Sequence, residues 1–334
     1  MRRVKTDRSE GLRLAYDTTI VTPKISRTLL PKGHVIRRED VPRLKDSGVF
    51  EVWVEDGGDE VREDEISAGV AKRISGENVL IKRGKHGMCT LVAAKPGVIT
   101  ISRGSLRKIN EKGSAMVILR RNGTAVSRGE IVGVVDSIPL SLKRRELNSL
   151  LSSCEIVVTV KEFKRRRVGL IVTGTEIFEG RKRDSYRRVI RDKCSRYGWE
   201  IIFSRVARDD EDDIKDAMEE AIRNGAEGVI VTGGMSVDAT DRTPSAIVSA
   251  GAKIIAYGIP VKPTTMTIVA VLRGVPVLGI SAGGIHYRKL NSVDMIFTRM
   301  MADMVPTRRE IADLGDGGIT DYYLSSHHPR EPSH

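Results

Sequence analysis

No apolar run in this chain reaches the length of a membrane span, and the basic start Met1-Arg2-Arg3-Val4-Lys5 has no apolar signal core behind it. A soluble cytoplasmic protein is the expectation. Cysteine is scarce: Cys89, Cys154 and Cys194 are odd in number, far apart and without paired spacing. This argues for a reducing compartment and against a disulfide frame or a cysteine zinc site. Aromatic residues make up only 4% of the chain, so stacking platforms for single-stranded nucleic acid are poorly supplied. A P-loop, a Gly-x-Gly-x-x-Gly dinucleotide fingerprint and a nucleophile elbow are all absent.

What is present suits a globular protein of two domains. The 334 residues are 40% hydrophobic and 30% charged, which excludes wholesale disorder. The net charge of +12 is unevenly placed, with 34 Lys and Arg against 21 Asp and Glu in residues 1–167. The whole basic excess therefore sits in the N-terminal half. It marks either a solvated basic surface or an anionic partner, and no helix or ribbon reader of nucleic acid accompanies it.

The chain is organised around Val229-Ile-Val-Thr-Gly-Gly-Met-Ser-Val-Asp-Ala-Thr-Asp-Arg-Thr-Pro244. Its β-branched run predicts a buried strand ending in a Gly233-Gly234 loop that needs bare backbone. Thr243 as N-cap and Pro244 at the first helical position predict a helix that stops before Gly251. In an open α/β sheet, ligands sit at the carboxyl ends of strands, where such loops gather. Glycines there let a phosphate or ring approach, and a helix N-terminus favours an anion. The alternative is a tight αβ turn with no ligand. Asp238 and Asp241 weigh against it, because carboxylates beside such a turn need a metal or a positive ligand.

Residues 1–160 read as one basic, β-rich domain of short strands and helices, with residues 1–15 a loose arm at its start. His34 and His86 stand alone and are expected at the surface or in turns. Lys164-Arg-Arg-Arg167 reads as a solvated lead-in to the strand Val168–Val172 and marks the boundary of a second domain, residues 165–305. There strands and helices alternate: a helix from Ser185 stopped by Gly198, strand Trp199–Val206, a helix capped by Asp209-Asp210 and ending at Gly225, then the organising strand. Thr267–Leu272 and Val275–Ile280 form a hairpin about Arg273-Gly274. A last helix carries Met295, Met300 and Met301 as core filler. Such alternation implies a parallel sheet covered on both faces. Residues 306–334 read as a flexible tail.

Four motifs in order, Thr173-Gly-Thr-Glu-Ile-Phe-Glu-Gly-Arg181, Val206-Ala-Arg-Asp-Asp210, Val231–Pro244 and Tyr257-Gly-Ile-Pro-Val-Lys-Pro263, resemble those of molybdopterin-binding domains. The resemblance is to stand-alone molybdopterin-binding proteins whose domain is like that of the molybdenum cofactor biosynthesis proteins of the MogA/MoeA type. It covers about residues 168–305 and extends only loosely into the N-terminal half. It implies an α/β fold: a three-layer MogA-like domain with a mostly parallel sheet, preceded by a β-rich α+β region. It implies a pterin-phosphate loop at Gly233, Gly234 and Ser236, with Asp241 the functional carboxylate and Asp209 facing it. Thr173, Gly174, Glu176, Thr232, Asp238, Thr243 and Lys262, on the same motifs, complete the implied cofactor-binding set. The two carboxylates, Asp209 and Asp241, can hold Mg²⁺ against a phosphate.

Two departures stand out. Family members with insertion or adenylation activity have a Leu-Pro-Gly-Asn-Pro-like loop where this chain has Ile280-Ser-Ala-Gly-Gly-Ile285. The cysteine-rich tail of some relatives is missing after Leu314-Gly-Asp-Gly-Gly318. The first reading is therefore an enzyme or carrier of molybdenum or tungsten cofactor assembly, binding molybdopterin or its adenylylated form. Mg²⁺ and ATP would be its co-reactants, and a homo-oligomer, dimer or trimer, is expected, with other cofactor-biosynthesis proteins or molybdoenzymes as partners. The second is a carrier or sensor without chemistry. The third is a nucleotide pyrophosphatase of the same domain family, against which Met235-Ser-Val-Asp238 speaks. Nucleic-acid binding ranks last.

Overall fold

The computed structural model describes residues 1–21, 26–84, 86–235, 241–288 and 290–327. In the C-terminal half, the β-branched runs become a six-stranded sheet. Its strands are β1 (Arg167–Thr173), β2 (Glu200–Ala207), β3 (Gly228–Thr232), β4 (Lys253–Tyr257), β5 (Thr267–Leu272) and β6 (Val275–Ile280). The spatial order is β2-β1-β3-β6-β5-β4. The first four of these pair in parallel, and β5 and β4 add antiparallel, so the sheet is mostly parallel rather than wholly so. The antiparallel step comes from the β5–β6 hairpin, whose turn residues Arg273 and Gly274 both have positive φ.

Three helices cover the sheet: α1 (Tyr186–Tyr197), α2 (Glu211–Arg223) and α3 (Thr243–Ser249). The period-2 alternation of the strands decides which helix meets which side chain. Leu170, Val172 and Ile230 pack with Val189 and Ile190 of α1. Ile171, Val229 and Val231 point the other way, onto Ile214 and Met218 of α2 and Ile247 of α3. The result is three layers. Because α1 lies on one face and α2 and α3 on the other, the strand order reverses at the β1/β3 pair, and a crevice opens beyond their carboxyl ends.

Helix ends follow local chemistry, with two differences from the expected caps. Asp210 caps α2 by accepting from the Asp213 N–H at 2.9 Å, and Gly198 takes the left-handed position after α1. Ser185 precedes α1 without capping it; Asp184 accepts from the Tyr186 and Arg187 N–H groups instead. Thr243 lies inside α3 rather than at its cap, which is Arg242, with Pro244 in the first turn.

The N-terminal half has two cores where one was expected. Leu14, Leu30, Ile36, Leu44, Val52 and Val54 form a small one. Here the first residues are not a loose arm: Arg2–Lys5 pairs antiparallel with Glu51–Val54, and Thr6 and Ser9 are buried. The second core lies under helix Glu63–Ile74 and a four-stranded antiparallel sheet in the order Val79–Arg83, Met88–Ala93, Ile131–Ser137, Ala115–Leu119. The three arginines of the cation run pair with carboxylates, Arg165 with Asp303, Arg166 with Glu162 and Arg167 with Glu227. Glu227 also accepts from the Arg166 and Arg167 N–H groups, fixing the start of β1.

The two halves share a core. Val98, Ala125 and Phe163 pack with Tyr197, Trp199 and Phe297, and the Phe163 ring meets Trp199 edge-on at 5.1 Å. The expected last helix is a π-turn, Val293–Phe297, running into a short α-helical turn, Thr298–Met301, with Met300 and Met301 fully buried. Past Pro306 the chain is not loose as far as it is described. A helical turn at Arg308–Ala312 is closed by a Thr307/Glu310 capping box, Ile319 bridges to Lys262, and Asp321–His327 is helical. No helix among the described residues is long and apolar enough to cross a membrane.

A buried charge network ties the π-turn to α1. Asp294 accepts from Lys193 Nζ at 2.5 Å, Tyr197 Oη at 2.7 Å and the Asn291 N–H at 2.9 Å. Both charges are almost wholly buried. Replacing one partner strands the other in a low-dielectric site, so Asp294→Ala is expected to lower stability by about 3–5 kcal/mol. Denaturant unfolding of the variant measures this.

Candidate functional site

β3 carries the chain to the crevice as Val231-Thr232 and then turns on Gly233 and Gly234, both with positive φ. The turn is packed against the end of β1. A Cβ on Gly233 would lie 2.7 Å from Thr173 Oγ1, and one on Gly234 would lie 2.8 Å from Thr243 Oγ1. Only glycine fits at either position. Two threonine hydroxyls lock this contact: Thr173 Oγ1 donates to the Thr232 carbonyl at 2.9 Å, and Thr243 Oγ1 donates to the Gly233 carbonyl at 3.0 Å. The Gly233 N–H donates to Ile280 O at 3.1 Å, so this group is not free for a ligand.

Across the crevice, Gly174 has a φ of 146°, a conformation open to glycine alone, and starts the helical turn Thr175–Phe178. Thr175 and Asp209 pair reciprocally: the Thr175 N–H donates to Asp209 Oδ2 at 2.9 Å, and the Asp209 N–H donates to Thr175 Oγ1 at 3.1 Å. That pairing fixes the Asp209 carboxylate at the mouth of β1 and β2. Its other oxygen, Oδ1, would stand 3.6 Å from a Cβ on Gly234.

A cavity of about 430 Å³ opens here, lined by Thr173, Gly174, Glu176, Asp209, Gly233, Gly234 and Asp241 together with Lys182, Tyr186, Arg242 and Ala282. A second cavity of about 450 Å³ shares Gly234, Asp241 and Ala282 with it and adds Met235, Met266, Ser281 and Gly283. The structure thus brings seven of the expected residues to one place. Thr232 and Thr243 stand behind them, buried, as supports. Asp241 is only partly buried, yet its Oδ2 is shut away from solvent with no hydrogen-bond partner among the described residues.

Lys262 is the exception, lining neither cavity. Its N–H donates to Gly318 O and its carbonyl accepts from Thr320 Oγ1, so its backbone holds the C-terminal segment while its side chain is exposed. Ser236 and Asp238 lie outside the described residues. Lys182, Tyr186, Arg242 and Ser281 line the cavities although the motifs did not single them out. The adjacency of Arg242 to Asp241 was the available signal for one of them, and the altered Ser281-Ala-Gly-Gly284 loop for another. Lys182 and Tyr186 follow β1 by a loop whose path no local pattern fixes.

Among the described residues no group of three or more His, Cys, Asp or Glu side chains could hold a metal. Asp209 and Asp241 still supply two hard oxygen donors to one cavity. That set fits Mg²⁺ when substrate phosphate and water complete the shell. Lys182, paired to Glu176 at 3.5 Å, and Arg242 add cations, so the cavity carries both signs. The thiols stand apart from it: Cys194 is buried, and burial pushes its pKa up to about 12.

Residues 169–304 match a family described as a probable molybdopterin binding domain, so this part of the chain is a domain of that family. Residues 3–56 match a domain of unknown function. An 84-residue stretch is 34% identical to a CinA-like protein from Syntrophus aciditrophicus (strain SB), covering 25% of this chain and 20% of that protein. The match thus spans about a fifth of that relative's length. Among solved structures, similarity extends to the tungsten cofactor synthesizing protein MoaB from Pyrococcus furiosus, at 18% identity and a TM-score of 0.33 over 46% of this chain and 98% of that one. It extends also to a molybdopterin biosynthesis MoeA protein from Pyrococcus horikosii, at 16% identity and a TM-score of 0.35 over 92% and 76%.

The threonine lock makes its own prediction. Thr243→Val keeps the shape but leaves the Gly233 carbonyl without its buried donor, which is expected to cost about 1–3 kcal/mol. Ser245→Ala removes a hydroxyl that donates to Arg242 O at the exposed start of α3, and should change stability by no more than about 0.5 kcal/mol. Thermal unfolding of the two variants makes the comparison.

Proposed function

We propose that the crevice at β1 and β3 binds molybdopterin or its adenylylated form in molybdenum or tungsten cofactor biosynthesis. The observation that carries this reading is Asp241 Oδ2, buried without a partner among the described residues, on the wall of the cavity at the glycine turn. A buried carboxylate oxygen left unpaired is expensive, so a ligand that satisfies it is strongly favoured. A pterin offers ring N–H donors, and its phosphate offers an anion that Lys182 and Arg242 can meet. The neighbouring 450 Å³ cavity, with Met235 and Met266 in its wall, suits the flat apolar face of the ring system.

In the catalytic form of this reading, Asp209 and Asp241 would hold Mg²⁺, which neutralises charge on a phosphoryl group during transfer from ATP. The Thr175 N–H keeps one Asp209 oxygen turned into the loop, and the Thr173 and Thr243 hydroxyls keep the glycine turn from relaxing into the space a ligand needs. In the carrier form, the same residues bind and orient without turnover, and the Ser281-Ala-Gly-Gly284 loop favours this form over adenylation. There Ser281 caps a helical turn by accepting from the Gly284 N–H at 3.3 Å, where active relatives carry a different loop. The setting proposed is the cytoplasm, with a dimer or trimer of this chain handing the cofactor to other biosynthesis proteins or molybdoenzymes.

The test is Asp241→Asn. An amide keeps most hydrogen bonds of a carboxylate but loses the charge a divalent ion needs. The variant is expected to lose all Mg²⁺-dependent adenylyl or metal transfer while molybdopterin binding weakens by less than about tenfold, or about 1.4 kcal/mol. Titrations with molybdopterin and turnover assays with ATP, Mg²⁺ and molybdate or tungstate measure both. Wild type that binds molybdopterin and turns over nothing establishes the carrier form. Wild type that does not bind molybdopterin overturns the proposal.

A further inference from the structure

Four arginines meet where the Arg120–Thr124 loop of the N-terminal half faces the end of α1 and the turn after the π-helix. They line a cavity of about 550 Å³ that shares no residue with the two cavities at Gly234. Arg120 and Arg196 share one carboxylate, Glu130, at 3.1 Å each. Burial raises the Glu130 pKa, but the two guanidiniums outweigh that and hold it below the usual carboxylate range. Arg121 and Arg299 have no salt-bridge partner among the described residues.

Arg299 is the anomaly. Among the described residues its Nε is buried without a hydrogen-bond partner, and burial pulls its pKa below the ordinary guanidinium value against the opposing charge of Glu310. The backbone is shaped to seat it. Gly123 has a φ of 81°, and a Cβ there would lie 2.1 Å from Arg299 Nη2, so the guanidinium rests on bare main chain. Glu310 acts on it only at a distance, and a desolvated cation with no salt-bridge partner among the described residues is unfavourable unless a ligand supplies one. The two acids on the cavity wall do not: Asp294 is already taken by Lys193 and Tyr197, and Asp321 forms no salt bridge among the described residues.

We propose that this cavity binds a small phosphate monoester with an apolar or ring-bearing body. Guanidinium forks match phosphate oxygens bidentately, and a phosphate near two negative charges balances Arg121 and Arg299, the two without a carboxylate. Arg120 and Arg196, tied by Glu130, form the rim. The Met295 side of the wall is apolar and receives the body of the ligand. The volume lies within the usual range of roughly 300–1,000 Å³ for small-ligand sites. Because the cavity is walled by both halves of the chain, its ligand would couple the N-terminal half to the cofactor domain.

The probes are AMP and adenosine, titrated calorimetrically into the full chain at low salt. AMP is expected to bind saturably and adenosine not to bind. Arg299→Gln and Arg121→Gln should each weaken AMP binding at least tenfold, and Lys182→Gln, which removes an exposed cation of the other site, should leave AMP affinity within twofold. Arg121 is exposed, so its variant folds and tests the proposal even if Arg299→Gln does not. Wild-type AMP affinity in Arg121→Gln, loss of AMP binding in Lys182→Gln, or no saturable AMP binding to wild type up to millimolar concentration each overturns it. None of these outcomes bears on molybdopterin binding at Gly234, which is measured separately.

Discussion

The site rests on one close approach, that of the Gly233-Gly234 turn to the end of β1. At this distance a single added methyl group would overlap the Thr173 or Thr243 hydroxyl oxygen. The parallel register of β1 and β3 brings Val172 opposite Thr232, and the two hydroxyl-to-carbonyl bonds hold the turn there. With the turn held, the carboxylates of Asp209 and Asp241 are left facing one space. Interiors are close-packed, so side chains could have filled that space. Glycine at these positions lets the turn pack tightly on the two hydroxyls, and the hydroxyl bonds hold it beside the space rather than across it.

The location of that space comes from the layering. α1 covers one face of the sheet and α2 and α3 the other, so the loops leaving β1 and β3 part in opposite directions and cannot cover the gap between them. A crevice at this point is a property of the topology, independent of what fills it. What this chain adds is chemistry of both signs: two carboxylates, one with a buried oxygen unpaired among the described residues, and the cations Lys182 and Arg242. That mixture suits a ligand with N–H donors at one end and a phosphate at the other.

The N-terminal half is integral to the molecule rather than an appendage. Phe163, Val98 and Ala125 complete the aromatic cluster beneath α1, and Gly123 lies against Arg299. Much of its surplus positive charge is spread over surface pairs, each worth little in water. The arginines around Gly123 differ from these. There Arg299 is seated on the bare main chain of Gly123, and neither it nor Arg121 has a salt-bridge partner among the described residues.

Periodicity alone was enough to mark most of the elements of the C-terminal half, because strands buried on both faces need unbroken β-branched runs and their helices need one apolar stripe. Gly233, Gly234, Gly174 and Asp209 were legible as turn positions for the same local reason, since each sits just past the end of a strand, and Asp241 from its place just before the helix start at Thr243-Pro244. The antiparallel β4–β5 edge was less so, since the hairpin about Arg273-Gly274 sets direction while the alternation suggests only parallel strands. Lys262 shows the limit. Its motif is local, but whether it faces the crevice depends on the C-terminal segment that pairs with its backbone, a contact across more than fifty residues. The ordered first strand, the second N-terminal core and the Arg299 seat on Gly123 are of the same kind. Turn chemistry and strand burial are set by neighbours in the chain and can be read there. Partners far apart in sequence, and the cavities between them, exist only once tertiary packing has chosen which surfaces meet.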